Sequence, residues 1–138
     1  MVKGEVLWNK LLEGDIVQFF ILENVEENVE RYAEENYGNG VDDLVRDWRK
    51  AARKAEYAVI EYYLDPEEDV WERIRLVHGE KSYIVIQYCL GHIDMYMDLM
   101  EHFDILARMF EHGYADSHIP HIPEEYVEII GSRRSVVV

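Results

Sequence analysis

Threonine is missing from this chain, cysteine occurs once and glutamine twice in 138 residues. Each scarcity closes something off. The lone Cys89 excludes an intrachain disulfide and any zinc site built on several thiolates, and a buried apolar role is the expectation for it. No uninterrupted apolar run approaches the ~18 residues that a membrane span requires, so no membrane partner is expected. The opening "MVKGEVLWNKLLEGD" scatters charges and has no apolar segment followed by small residues, so it does not read as a secretion signal and the expected compartment is the cytoplasm. Scarce Thr and Gln beside abundant Glu and Arg lean toward a thermophilic source.

Basic residues are also few: 14 against 29 acidic ones, a net charge of −15. That field opposes general binding to nucleic acid phosphates and favours basic protein partners or cations. Hydrophobic residues make up 49% and charged ones 31%, the balance of a globular chain. One domain over 1–131 is expected, with 132–138 ("SRRSVVV") as a tail outside it.

The apolar spacing reads as helical nearly throughout. A short amphipathic piece holds Val6, Leu7 and Leu11, and Gly14-Asp15 supplies a break and a cap. A helix carrying Ile16, Phe19, Phe20, Val25, Val29 and Ala33 inward then runs to the glycine-rich "YGNG" at 37–40. Leu44, Trp48, Ala51, Ala55, Val59 and Tyr62 predict a second helix over 42–64. Asp65-Pro66 with Glu68 has the pattern of a capped third helix, through Val70, Ile74 and Val77 to Gly79. A long helix is expected from Ser82 to Glu111. Its first part, "SYIVIQY", is β-branched enough for a strand, yet no partner strand stands out. A short helix over Pro123–Ile130 completes the expectation of an all-α fold, a helical bundle of about four main helices with short N- and C-terminal ones.

Charge stripes on the first two long helices are complementary. Folding back at the glycine turn would set Glu26 beside Arg53 and Glu30 beside Arg49, which makes the basic cluster an internal partner rather than a nucleic acid surface.

The stretch "GHIDMYMDLMEHF" (91–103) concentrates the candidate chemistry. At ~100° per residue His92 falls at the centre of the apolar arc, Asp94 and Glu101 on the opposite side, and Asp98 with His102 on a flank. Asp94 and His102 stand ~12 Å apart along such a helix, too far for one ion, so only Asp98 and His102 would share a metal. With His92, or with His118 and His121 of "SHIPHIP", they form the metal-ligand set, and a divalent ion such as zinc or manganese is the cofactor it would take.

Three enzyme patterns were compared. No histidine has Glu three residues before it, so the ferritin-like di-iron pattern fails. Glu26, Glu27 and Glu30 in "EENVE" resemble the first half of the metal-binding pattern of the MazG-type nucleotide pyrophosphohydrolases, whose second half, Glu-x-x-Asp, does not follow between 40 and 65. Arg73 and His78 in "RIRLVH" are similar to the Arg-x(4–6)-His pattern of the helical HEPN ribonucleases, although Ile74 departs from the polar residue usual after that Arg. The resemblance implies a helical RNA-cleaving site at Arg73 and His78. The leading expectation is a non-enzymatic interaction or assembly module that forms a homodimer, resting on ten Tyr, three Trp and four Phe and on the lack of a complete catalytic set. The alternatives are a metal-dependent hydrolase at the His/Asp site and the HEPN-like nuclease.

Overall fold

The computed structural model describes residues 4–22, 24–37, 48–96, 99–112 and 128–130. It overturns the all-α expectation. Helices α1 (Gly4–Leu12), α2 (Val25–Tyr37), α3 (Trp48–Lys54) and α4 (Leu99–His112) accompany strands β1 (Ile16–Ile21), β2 (Tyr57–Leu64), β3 (Asp69–His78), β4 (Lys81–His92) and β5 (Glu128–Ile130). The strands form one antiparallel sheet in the order β4-β3-β2-β1-β5.

Each predicted helix that failed did so where a strand satisfies the same spacing. The helix expected from Ile16 splits into β1 and α2 at Asn24, whose φ is +48° and whose carbonyl accepts from the Asn28 N–H at 2.9 Å. Among the described residues of the helix expected over 42–64, α3 is the helical part; β2 follows at Tyr57, and Ala58, Val59 and Ile60 are all buried. A strand buried on both faces is a continuous apolar run, and period alone does not separate it from a helix. Asp65 caps, as expected, but it caps a hairpin turn. Its Oδ1 accepts from the backbone N–H of Glu67 and of Asp69, both at 2.9 Å, and Glu68 adopts φ +64° instead of closing a helical box. Gly79, at φ +58°, takes the first of two loop positions between β3 and β4, a favoured hairpin arrangement. Residues 128–130 of the expected C-terminal helix pair as a strand with β1.

Other expectations stand. Gly14, at φ +90°, turns the chain between α1 and β1. On α1, Leu7 and Leu11 point into the core. Arg49 makes two bonds to the Glu30 carboxylate, at 2.8 and 2.9 Å, and Arg53 reaches Glu26 at 3.2 Å, so α2 and α3 pair as the charge stripes required. Leu99, Phe103 and Leu106 form the inner face of α4.

The sheet has two unlike faces, because successive side chains on a strand alternate. One carries Phe19, Ile60, Ile74 and Ile86 in a row of paired positions. Helices α2 and α4 pack on this face: Phe103 meets Tyr62 and Phe19, with ring centroids 4.9 and 6.3 Å apart, and the Tyr32 hydroxyl meets that of Tyr62 at 3.4 Å. The opposite face carries a polar row at one register, Gln18, Glu61, Arg73 and Gln87, with Glu128 placed opposite Gln18.

Candidate functional site

Burying a charge without a partner is costly, so each buried ionisable group needs an account. Glu61, at 0% exposure, is held by two guanidinium groups: Arg73 Nε donates to Oε1 at 2.7 Å and Arg75 Nη2 donates to Oε2 at 2.5 Å. Gln18 Nε2 also donates to Oε2, while Gln18 Oε1 finds no hydrogen-bond partner among the described residues. Arg73 extends this cluster outward, lying 4.8 Å over the ring of Tyr63, which in turn stacks on Trp71.

Glu72 stands one residue away on the other face and is handled differently. It is 3% exposed, and its Oε2 accepts from the hydroxyls of Tyr32 (3.2 Å) and Tyr62. Desolvation pushes its pKa up to about 8, against the opposing hydrogen bond from Tyr32. The chain of contacts continues, since the Tyr62 oxygen lies 2.9 Å from Nε2 of His102 on α4. Partial burial of His102 lowers its pKa, so the neutral imidazole is favoured there. Glu72, Tyr62 and His102 therefore form a hydrogen-bonded line from the core to the flank of α4.

Of the expected metal set His92, Asp98, His102, His118 and His121, the described residues include His92 and His102. His92 is not at the centre of an apolar arc: it ends β4, its side chain is 41% exposed, and its Nδ1 accepts from the Asp94 N–H at 3.3 Å, beside the Glu68 carboxylate at 3.9 Å. His102 sits on a separate element, α4, and Asp94 lies in the short 3-10 turn Ile93–Met95. Asp98, His118 and His121 lie outside the described residues. Among the described residues, the group whose ligand atoms come within 4.8 Å of one another is Asp65, Glu67 and Asp69 at the β2–β3 turn. Both oxygens of Asp65 are already engaged there, Oδ2 by Trp71 Nε1 at 2.9 Å, and these bonds hold the carboxyl below its ordinary pKa. Cys89 is exposed on β4, not buried.

The nuclease resemblance loses its frame. Arg73 and His78 lie on β3, five residues apart and so on opposite faces, and Arg73 is committed to Glu61. Glu30 and Glu26 of the "EENVE" pattern are paired with Arg49 and Arg53. Sequence reasoning missed Glu61 and Glu72 because charged residues within an assumed helix read as its solvent face; the alternation "DVWERIRLV" was the signal that could have found Glu72, while "YAVIEYYL" around Glu61 has no such alternation.

At the sheet's margin, β4 is an edge strand among the described residues, with β3 as its neighbour. Tyr83, Ile84 and Tyr88 on it are 43%, 41% and 51% exposed. No described helix is long and apolar enough to cross a membrane. No family model matches this chain, and neither a curated protein nor a solved structure matches it.

Proposed function

We propose that this protein is an assembly module that forms a homodimer by antiparallel pairing of its β4 strands, joining two sheets into one. The observation that carries this reading is the character of β4. It is a twelve-residue edge strand, and the stretch Lys81–Ile93 is the longest in the chain without an acidic residue. Two copies of a protein with a net charge of −15 repel each other over most of their surface, and β4 offers an approach free of carboxylates. An exposed strand edge supplies unpaired backbone groups that a second strand satisfies, and a two-fold axis makes one patch complementary to itself.

A single register suits both faces. Setting Tyr83 of one copy beside Tyr88 of the other also sets Ile84 beside Gln87 and Ser82 beside Cys89. In each pair the two residues occupy the same face of the sheet, as their partners Leu76 and Glu72, Arg75 and Arg73, and Val77 and Trp71 on β3 show. Aromatic pairs across strands add to the stability of such a ladder.

Light scattering on the purified protein should give twice the chain mass of 16.4 kDa, and Ile84→Lys should return one chain mass with the melting transition kept. A Ser82→Cys variant, oxidised, should form a covalent dimer through Cys89 of the second copy. A monomeric parent at every concentration, or a dimer indifferent to Ile84→Lys and uncrosslinked by Ser82→Cys, overturns the reading.

A further inference from the structure

The described groups around Glu72 come from four elements. Tyr32 reaches it from α2 and Tyr62 from β2, Tyr88 stands opposite it on β4, and His102 on α4 follows behind Tyr62. No described arginine or lysine is among these groups, because Arg73 and Arg75 on its own strand belong to the Glu61 cluster on the other face. A carboxyl so placed has no cation to hold a charge and is kept as the neutral acid. His102, half-buried on the flank of α4, is the member of the line nearest water.

Two hydrogen-bond orders satisfy this line. In one, the Glu72 acid donates to the Tyr62 oxygen and the Tyr62 hydroxyl donates to His102 Nε2. In the other, a protonated His102 donates to the Tyr62 oxygen and the Tyr62 hydroxyl donates to the Glu72 carboxylate. Tyr32 donates to Glu72 in both. The two orders differ only by one proton moved along each bond, and no side chain leaves its place.

We propose that Glu72, Tyr62 and His102 form a proton relay through which the buried acid exchanges its proton with water at the His102 imidazole. The transfer balances. The Glu72 O–H bond breaks as a new O–H bond forms on Tyr62, and the original Tyr62 O–H bond breaks as an N–H bond forms at His102 Nε2. A carboxylic acid and an imidazole become a carboxylate and an imidazolium, Tyr62 ends neutral, and the imidazolium passes its proton to water. Without Tyr62 or His102 this route is closed, and Glu72 exchanges only when α4 lifts from the sheet, a rarer local opening.

Infrared-detected pH jumps on the intact protein test this. A jump from about pH 6 to about pH 9 crosses the Glu72 ionisation, and the acid carbonyl band is assigned by its loss in Glu72→Gln. The band should vanish faster than the backbone amides of Phe103 and Leu106 exchange with solvent. Tyr62→Phe and His102→Gln should each slow it about tenfold or more, to the rate of α4 opening. Glu101→Gln, on the exposed side of α4, should leave it unchanged. Equal rates in the parent, Tyr62→Phe and His102→Gln overturn the relay, as does the absence of a Glu72 acid band at pH 6. Should Tyr62→Phe not fold, His102→Gln, a change at a half-exposed position, decides alone.

Discussion

Replacing Glu72 by Gln turns a titratable buried group into a permanently neutral one of nearly the same shape, so the two proteins should differ only in how stability depends on pH. The sign follows from linkage. Between the ordinary carboxyl value of 4.5 and about 8, folded Glu72 keeps a proton that the unfolded chain has released, so the parent loses stability as pH rises through that window. His102 runs the other way: its folded pKa is depressed, so below about 6.5 it contributes stability that increases with pH. Restricting the comparison to pH above about 6.5 isolates Glu72. At about 1.36 kcal/mol per pH unit, the interval from 6.5 to 8 amounts to roughly 2 kcal/mol. Urea denaturation followed by tryptophan fluorescence, with Trp48 buried in the native state, measures this directly. The parent should weaken by roughly 2 kcal/mol across the interval while Glu72→Gln stays flat, giving a variant more stable than the parent at pH 9. Identical slopes in the two proteins would refute the reasoning, because a Glu72 ionised at neutral pH would show no such difference.

Glu61→Ala removes the anion between Arg73 and Arg75 and should cost about 3–5 kcal/mol in the same denaturation assay, the size expected when a buried pair loses one partner. Gly4→Ala would set a methyl group against the Met100 carbonyl oxygen and the Asp104 carboxylate, so α1 must shift off α4; a loss of about 1–3 kcal/mol is expected, read as a lower melting temperature. A double-mutant cycle on Glu30 and Arg49 should give no more than about 1 kcal/mol of coupling, smaller still in high salt, because both side chains are partly exposed.

How far the sequence reveals the fold depends on what each element buries. The α4 register was legible because one face of a surface helix meets the core, and Leu99, Phe103 and Leu106 sit on that face. The α2–α3 pairing was legible because charge stripes have to be partnered, whatever the elements on either side of them. The centre of the sheet was not. Strands β1 and β2 are buried on both faces, so "IVQFFI" and "YAVIEYYL" lack the alternation that identifies a strand with one wet face. With those partners hidden, the β-branched "SYIVIQY" has no visible strand to pair with, and its spacing also fits a helix. A hairpin was nonetheless written at "HGEK", where glycine separates two β-branched runs by a two-residue loop. Of the candidate ligands, His102 was placed correctly on a helix flank, and what it meets, Tyr62, became visible only with the β2–α4 packing.

The ladder between β2 and β3 shows why burial, not charge, is the harder property to read. Two successive rungs each bury a glutamate. On one, Glu61 stands opposite Arg73 and is ion-paired; on the next, Tyr62 stands opposite Glu72 and the carboxyl is held neutral by desolvation. The rungs face opposite sides of the sheet, so neither network can borrow a partner from the other. Identical side chains thus meet opposite surroundings, according to whether the cross-strand neighbour is a guanidinium or a phenol. It follows that a neutral substitute should be tolerated at Glu72 and not at Glu61, where it would strand the buried Arg75 and the partly buried Arg73.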